Sequence, residues 1–183
     1  MRKAYFSLYE IAVLSLLGAL VFILRTVLRI PLHIPGHTGI FWVVPVIMGV
    51  AIVRKFGAGT YIGFISGILA SFFGLGGFHI FDLFKYLVMG VTIDLLTVPF
   101  AKHLDNPAVG FILGAAGNLS KMVVNYYIHL TLGVPAVFIL IGIGFASLSH
   151  FIFGGLGGII SALILARLYK SGVIKRNEKK SVD

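Results

Sequence analysis

The sequence predicts an all-α integral membrane protein with six transmembrane helices. Three observations carry that expectation. Hydrophobic residues make up 58% of the 183 positions and charged residues only 11%, for a mean hydropathy of +1.04 that ordinary soluble domains do not approach. Long continuous apolar runs recur along the whole chain, where a membrane β-barrel would show short alternating segments. Most of the 15 lysines and arginines fall at the ends of those runs, so the net charge of +9 reads as cytoplasmic loops rather than as a nucleic-acid surface. There are no cysteines, which excludes disulfides, iron–sulfur clusters and thiolate zinc sites. The first apolar run is too long for a cleavable leader and lacks a small-residue exit.

Residues Leu8 to Leu28 form the first expected span, at about the twenty residues that a bilayer core requires. The segment Ile30 to Gly39 follows, where Pro31, Pro35, Gly36 and Gly39 forbid a continued helix. Ile40 to Val53 is a second, shorter span containing Pro45, and Arg54-Lys55-Phe56-Gly57 breaks it. Ala58 to Phe73 is the third, rich in the small residues that close helix packing in lipid prefers. A loop at Gly74 to Gly77 leads to the fourth span, Phe78 to Phe100, and the polar turn Lys102 to Pro107 leads to the fifth, Ala108 to about Leu132. The apolar run Ala136 to Tyr169 is too long for one perpendicular helix. It is expected to divide into an outer segment up to about Ser147, interfacial or re-entrant, and a sixth span over Ser149 to Leu168. Residues 170–183 read as a basic cytoplasmic tail, and no internal repeat stands out.

Six spans place both termini on one side, together with Arg2, Lys3, Arg54, Lys55, Lys102 and the basic residues from Arg167 onward. The other side has only Arg25 and Arg29. The positive-inside rule then makes the termini cytoplasmic.

That topology locates the chemistry. In the stretch Asn118 to His129, the residues Asn118, Lys121, Asn125 and His129 recur at steps of three and four and so share one helical face. A lysine, two amides and an imidazole are costly in hydrocarbon, so the stripe is expected to face a bundle interior or a wet cavity. His33 and His37 fall in the first external loop, and His79 and Asp82 at the outer mouth of the fourth span, with Lys85 and Tyr86 continuing inward. Ser147 and His150 are positioned to close an external pocket from the start of the sixth span, and Trp42, Phe41 and Tyr126 to supply flat apolar surface. The cytoplasmic side shows no comparable cluster. Plainer roles exist for several of these residues. Trp42, Tyr126 and Tyr127 suit an interfacial aromatic belt, His33 and His37 a solvated loop, Asn118 interhelical hydrogen bonding, and Asp94 either a partner for Lys121 or a helix-end cap.

Enzyme signatures are missing. There is no G-x-x-x-x-G-K-[ST] phosphate loop and no H-E-x-x-H, so no catalytic role and no cofactor is expected. The string Gly63-Phe64-Ile65-Ser66-Gly67 differs from the G-x-S-G of rhomboid-type proteases, and its glycines suit helix packing better.

Six spans in under two hundred residues, small residues on the first helix (Ala12, Ser15, Gly18, Ala19), a structured first external loop, a Gly-rich break before the fourth span and a GGLGG-containing last helix with a basic tail resemble one known family. It is the substrate-binding S component of energy-coupling factor (ECF) transporters, and the resemblance covers nearly the whole chain in architecture more than in motif. It implies a capture subunit for a small water-soluble vitamin-like molecule, multi-pass in a prokaryotic cell membrane. It also implies partners: a transmembrane coupling subunit, met by the face Ala12, Ser15 and Ala19, and two cytoplasmic ATPases. The implied ligand position near the external face coincides with the polar groups His33, His37, Trp42, His79, Asp82, Tyr86, Asn118, Lys121, Asn125, His129 and His150.

Two ligand chemistries stay open. His33-Ile34-Pro35-Gly36-His37 is similar to the M-H-I-P-D-G start of the cobalt and nickel members, but those use a free amino terminus, whereas here a full helix precedes the histidines. A transition-metal site from His33, His37 and His79 is the lesser alternative. The main expectation is a heteroaromatic, polar or zwitterionic compound stacked on Trp42 or Tyr126 and hydrogen-bonded by Asn125, His129 and Asp82. A membrane scaffold whose polar groups only stabilise packing is the alternative outside transport, and a self-sufficient secondary transporter is disfavoured by the lack of paired broken helices in two similar halves.

Overall fold

The structure, a computed structural model, describes residues 5–28, 35–74 and 80–174. Every regular element among the described residues is a helix: α1 (Leu8–Val27), α2 (Gly39–Val53), α3 (Ala58–Phe72), α4 (Phe81–Phe100), α5 (Pro107–Thr131) and α6 (Ala136–Lys170). Four of them, α1, α4, α5 and α6, are long and apolar enough to cross a membrane. The apolar helices α2 and α3 have 15 residues each, about 22 Å at 1.5 Å per residue, which is short of a hydrocarbon core of about 30 Å. The chain is therefore an all-helical bundle of the kind a membrane hosts.

Local chemistry sets the helix ends. Ser7 caps α1 by accepting from the Glu10 amide at 3.2 Å, while Glu10 accepts from the Ser7 amide at 2.7 Å, a reciprocal capping box. Arg54 closes α2 in the left-handed conformation (φ 55°), and Gly57 at φ 90° opens α3. Asp94 resolves to the helix-end role: one of its oxygens accepts from the Gly59 amide at 2.9 Å, the other from the amide and hydroxyl of Thr60 at 2.7 Å each. An anion at that position satisfies the orphan donors at the start of α3 and suits the positive end of its dipole.

Helix α2 lies at the middle and touches all the other helices, while α3 packs on α4 and α5 on α6. Small residues make the two close pairings. A Cβ on Gly63 would strike the Tyr86 carbonyl of α4, and one on Gly158 would strike the Gly110 carbonyl of α5. The stretch Gly63 to Gly67 is thus a packing surface. Ser66 donates to the carbonyls of Ile62 (2.6 Å) and Gly18 (3.1 Å), joining α3 to α1.

The sixth helix departs from expectation. Residues 136–147 do not fold as a separate outer segment, because α6 runs unbroken for 35 residues, about 52 Å. No proline or charged residue interrupts Ala136 to Ala166. The two glycines of residues 136–147, Gly142 and Gly144, each disfavour a helix by only about 1 kcal/mol relative to alanine. The first third of α6 is sparsely packed: Phe138, Ile141 and Phe145 are exposed, and nothing lies within 4 Å of where a Cβ on Gly142 or Gly144 would sit.

An ion pair between Lys55 and Glu10 at 2.7 Å joins the turn after α2 to the start of α1. These two chain segments therefore share one end of the bundle. The end of α1, the start of α2, the start of α4 and the end of α5 share the other.

Candidate functional site

At that second end a cavity of about 260 Å³ is walled by five helices and the turn before α2. Helix α5 supplies Asn118, Lys121 and Asn125, spaced three and four residues apart and so presented to the same side. Trp42 comes from α2, Lys85 from α4, His150 from α6 and Arg25 from α1, and the turn adds Gly36 and Thr38.

The turn is seated by backbone contacts that only small residues permit. Gly36, at φ 75°, lies against the His150 ring, and Gly39 lies against the Asn118 amide. The Asn118 amide nitrogen donates to the carbonyls of Gly36 at 3.2 Å and His150 at 2.9 Å, fastening the turn to α5 and α6 together. The Ser149 hydroxyl adds a bond to the Pro35 carbonyl.

Lys121 sets the character of the site. Its ammonium stands 4.3 Å from the centroid of the Trp42 ring and 4.3 Å from that of Tyr86, whose planes meet nearly edge to face. It makes no hydrogen bond or ion pair with the described residues. Arg25 lies over the same Tyr86 ring, 5.5 Å from its centroid, and its Nη1 donates to the Tyr86 hydroxyl. Beside them Lys85 pairs with fully buried Asp82 at 2.9 Å, leaving the second carboxylate oxygen of Asp82 buried without a hydrogen-bond partner among the described residues. His150 has Nδ1 at 2.8 Å from the Ala146 carbonyl. A carbonyl only accepts, so Nδ1 carries the proton and Nε2 of the neutral ring is an acceptor. The side-chain amide of Asn125 makes no hydrogen bond to the described residues.

The structure gathers Trp42, Asn118, Lys121, Asn125 and His150 in one cavity wall, with Tyr86 directly behind Lys121. It does not gather the rest. His129 turns onto its own helix, its Nδ1 2.7 Å from the Asn125 carbonyl, and does not line the cavity. Asp82 is engaged by Lys85 rather than offered to a ligand, His37 lies beside the cavity without lining it, and Tyr126 is outside it. His33 and His79 fall outside the described residues, as does the first part of the expected fourth span. No group of three or more metal-capable side chains occurs among the described residues. Of the two rings expected to stack on a ligand, Tyr126 does not line the cavity, and Trp42 lines it with Lys121 lying over one face of its ring.

Arg25 is the wall residue that sequence reasoning missed. The sequence reading counts it only toward membrane orientation, although a cation in the last turn of an apolar span is itself a signal. Thr38 and Met122 carry no such signal. On α1, the buried face is Leu14, Gly18 and Val21. Of the small residues, Ala12 is exposed, Ala19 is half-buried, and Ser15 meets the Tyr61 hydroxyl at 3.3 Å.

A second cavity of about 260 Å³ opens at the opposite end of the bundle, near Arg54, Lys55 and Asp94, where no comparable cluster was expected. Its charged groups serve the fold: Lys55 holds Glu10, Asp94 caps α3, and Arg54 reaches the Ala51 carbonyl at 3.3 Å. The first cavity, by contrast, retains polar groups that the fold does not use.

No family model, no curated protein and no solved structure matches the chain.

Proposed function

We propose that the chain is the substrate-binding S component of an ECF-type uptake transporter, holding a small water-soluble molecule in the cavity bounded by α1, α2, α4, α5 and α6. On this reading all six helices span the bilayer, both termini are cytoplasmic and the cavity opens to the outside. The observation that carries it is the set Lys121, Asn125 and His150. Each offers unused hydrogen-bonding capacity to one cavity inside an apolar bundle, where an unsatisfied polar group costs several kcal/mol unless water or a ligand meets it. The lack of a phosphate loop fits a subunit energised by separate ATPases. Membrane-embedded capture followed by ATP-driven delivery needs a coupling subunit, and α1, with Leu16, Leu20 and Ile23 exposed along one side of Ala12 and Ala19, is the face proposed for it.

The scaffold reading has its own observation, because Asn118 and Ser149 spend their hydrogen bonds on fastening the turn at 35–38. Affinity purification of the tagged chain from its own membranes separates the two. Recovery of a transmembrane subunit with an ATPase pair, and ATP-dependent uptake in vesicles containing all of them, is expected. Recovery of the chain without any ATPase would overturn the transport reading.

A further inference from the structure

We infer that the cavity selects an oxyanion, a carboxylate or phosphate group placed against Lys121, and this rests on the capture reading above. Charge is the first reason. Arg25, Lys85 and Lys121 all line the cavity, and the carboxylate beside them, Asp82, is held by Lys85 at 2.9 Å. The chain has six acidic residues. Glu10 and Asp94 serve the opposite end of the bundle, Asp105 lies in the turn between α4 and α5 at that same end, and Glu178 and Asp183 follow α6 in the sequence. Lys121 is thus a cavity-wall cation with no carboxylate of its own among the described residues.

The second reason is how Lys121 is held. Two aromatic faces at 4.3 Å fix an ammonium in place but leave its charge unneutralised and its N–H donors unbonded. A lysine fixed in this way is organised before the ligand arrives, which is the arrangement that strengthens a charge-assisted hydrogen bond in a partly dry site. The same lysine lies over one face of each ring, which places its charge beside the flat surface that Trp42 gives the cavity. Asn125, Thr38 and Nε2 of His150 remain for the rest of the ligand, and Nε2, as an acceptor, favours a hydroxyl or N–H there. About 260 Å³ is near the lower end of the usual range of about 300–1,000 Å³ for ligand pockets, which suits a small acid such as a single-ring one.

Matched acids and amides test this at constant ionic strength, with the whole chain in phosphatidylcholine nanodiscs. The probes are nicotinate against nicotinamide, succinate against succinamide, and inorganic phosphate. At least one oxyanion is expected to bind about tenfold or more tightly than the neutral amides. The preference should fall to within about twofold in Lys121→Met and persist in Lys121→Arg. Adding phosphatidylglycerol separates the sources of the oxyanion: competition by the lipid assigns it to a headgroup, and none assigns it to a solute. The inference is overturned by equal binding of acids and amides, by a preference that survives Lys121→Met, or by no binding of any probe. A neutral molecule retained by the wild type and lost in Asn125→Ala would sink the oxyanion claim while leaving capture intact.

Discussion

Replacing Lys121 by methionine should make the ligand-free protein more stable while removing its ability to bind. The substitution keeps most of the side-chain length and deletes the ammonium. What is lost is attraction to Trp42 and Tyr86, about 1 kcal/mol for each ring at a partly buried site. What is relieved is larger. Arg25 lies over the same Tyr86 ring, 5.5 Å from its centroid, and two like charges that share a ring repel by about 2 kcal/mol at an effective dielectric of about 20. An ammonium withdrawn from water without a carboxylate partner carries a further penalty of several kcal/mol. The balance is a gain of about 1–3 kcal/mol, and at about 2–4 °C per kcal/mol for a chain of this size the thermal midpoint in detergent rises by several degrees. The assay is a melting curve of the two proteins after exhaustive ligand removal, paired with binding of the retained compound. A lowered midpoint would refute the reasoning, because it would mean that Lys121 holds the bundle together. A stabilising substitution that abolishes binding is the signature of a residue kept for function.

The other substitutions probe the frame around that lysine. Asp82→Asn strands Lys85 in a buried position and should destabilise the bundle by about 3 kcal/mol, whereas the double change Asp82→Leu with Lys85→Met should recover most of that in the same denaturation experiment. Asp94→Ala removes three hydrogen bonds at the start of α3 and should cost about 2–3 kcal/mol, measured likewise, without altering ligand retention. Gly158→Ala should lower stability by about 2 kcal/mol by forcing α5 from α6, while Gly142→Ala, with open space around it, should raise it by about 1 kcal/mol. Single cysteines introduced into this cysteine-free chain report orientation: Leu132→Cys should react with an impermeant maleimide on intact cells, and Asn106→Cys only after lysis.

Much of the frame was legible because helix punctuation is local. Arg54 to Gly57 separates α2 from α3 where the sequence breaks, and the turn ending at Asn106 caps α5 through its bond to the Ala108 amide. The α5 stripe was legible as well, since spacing alone puts Asn118, Lys121 and Asn125 on one face. His129 defeated the same argument. Its ring satisfies itself on the Asn125 carbonyl one turn back, and periodicity specifies the face of a residue but not the rotamer. The continuity of α6 was illegible for a related reason: its length exceeded a bilayer, and a break was inferred from the membrane when the chain itself contains no helix breaker there. The Lys121 cage joins three helices, α2, α4 and α5, and Arg25 reaches it from a fourth. Contacts of that kind depend on tertiary packing and leave no mark in any single window of sequence.

The most direct test is mass spectrometry of whatever small molecule leaves the chain when it is purified from its native membranes and denatured. The account predicts one compound near stoichiometric amounts from the wild type, and little or none from Asn125→Ala or Lys121→Met, both of which still melt cooperatively. Absence of any released compound from the wild type, or equal recovery from all three proteins, would contradict it.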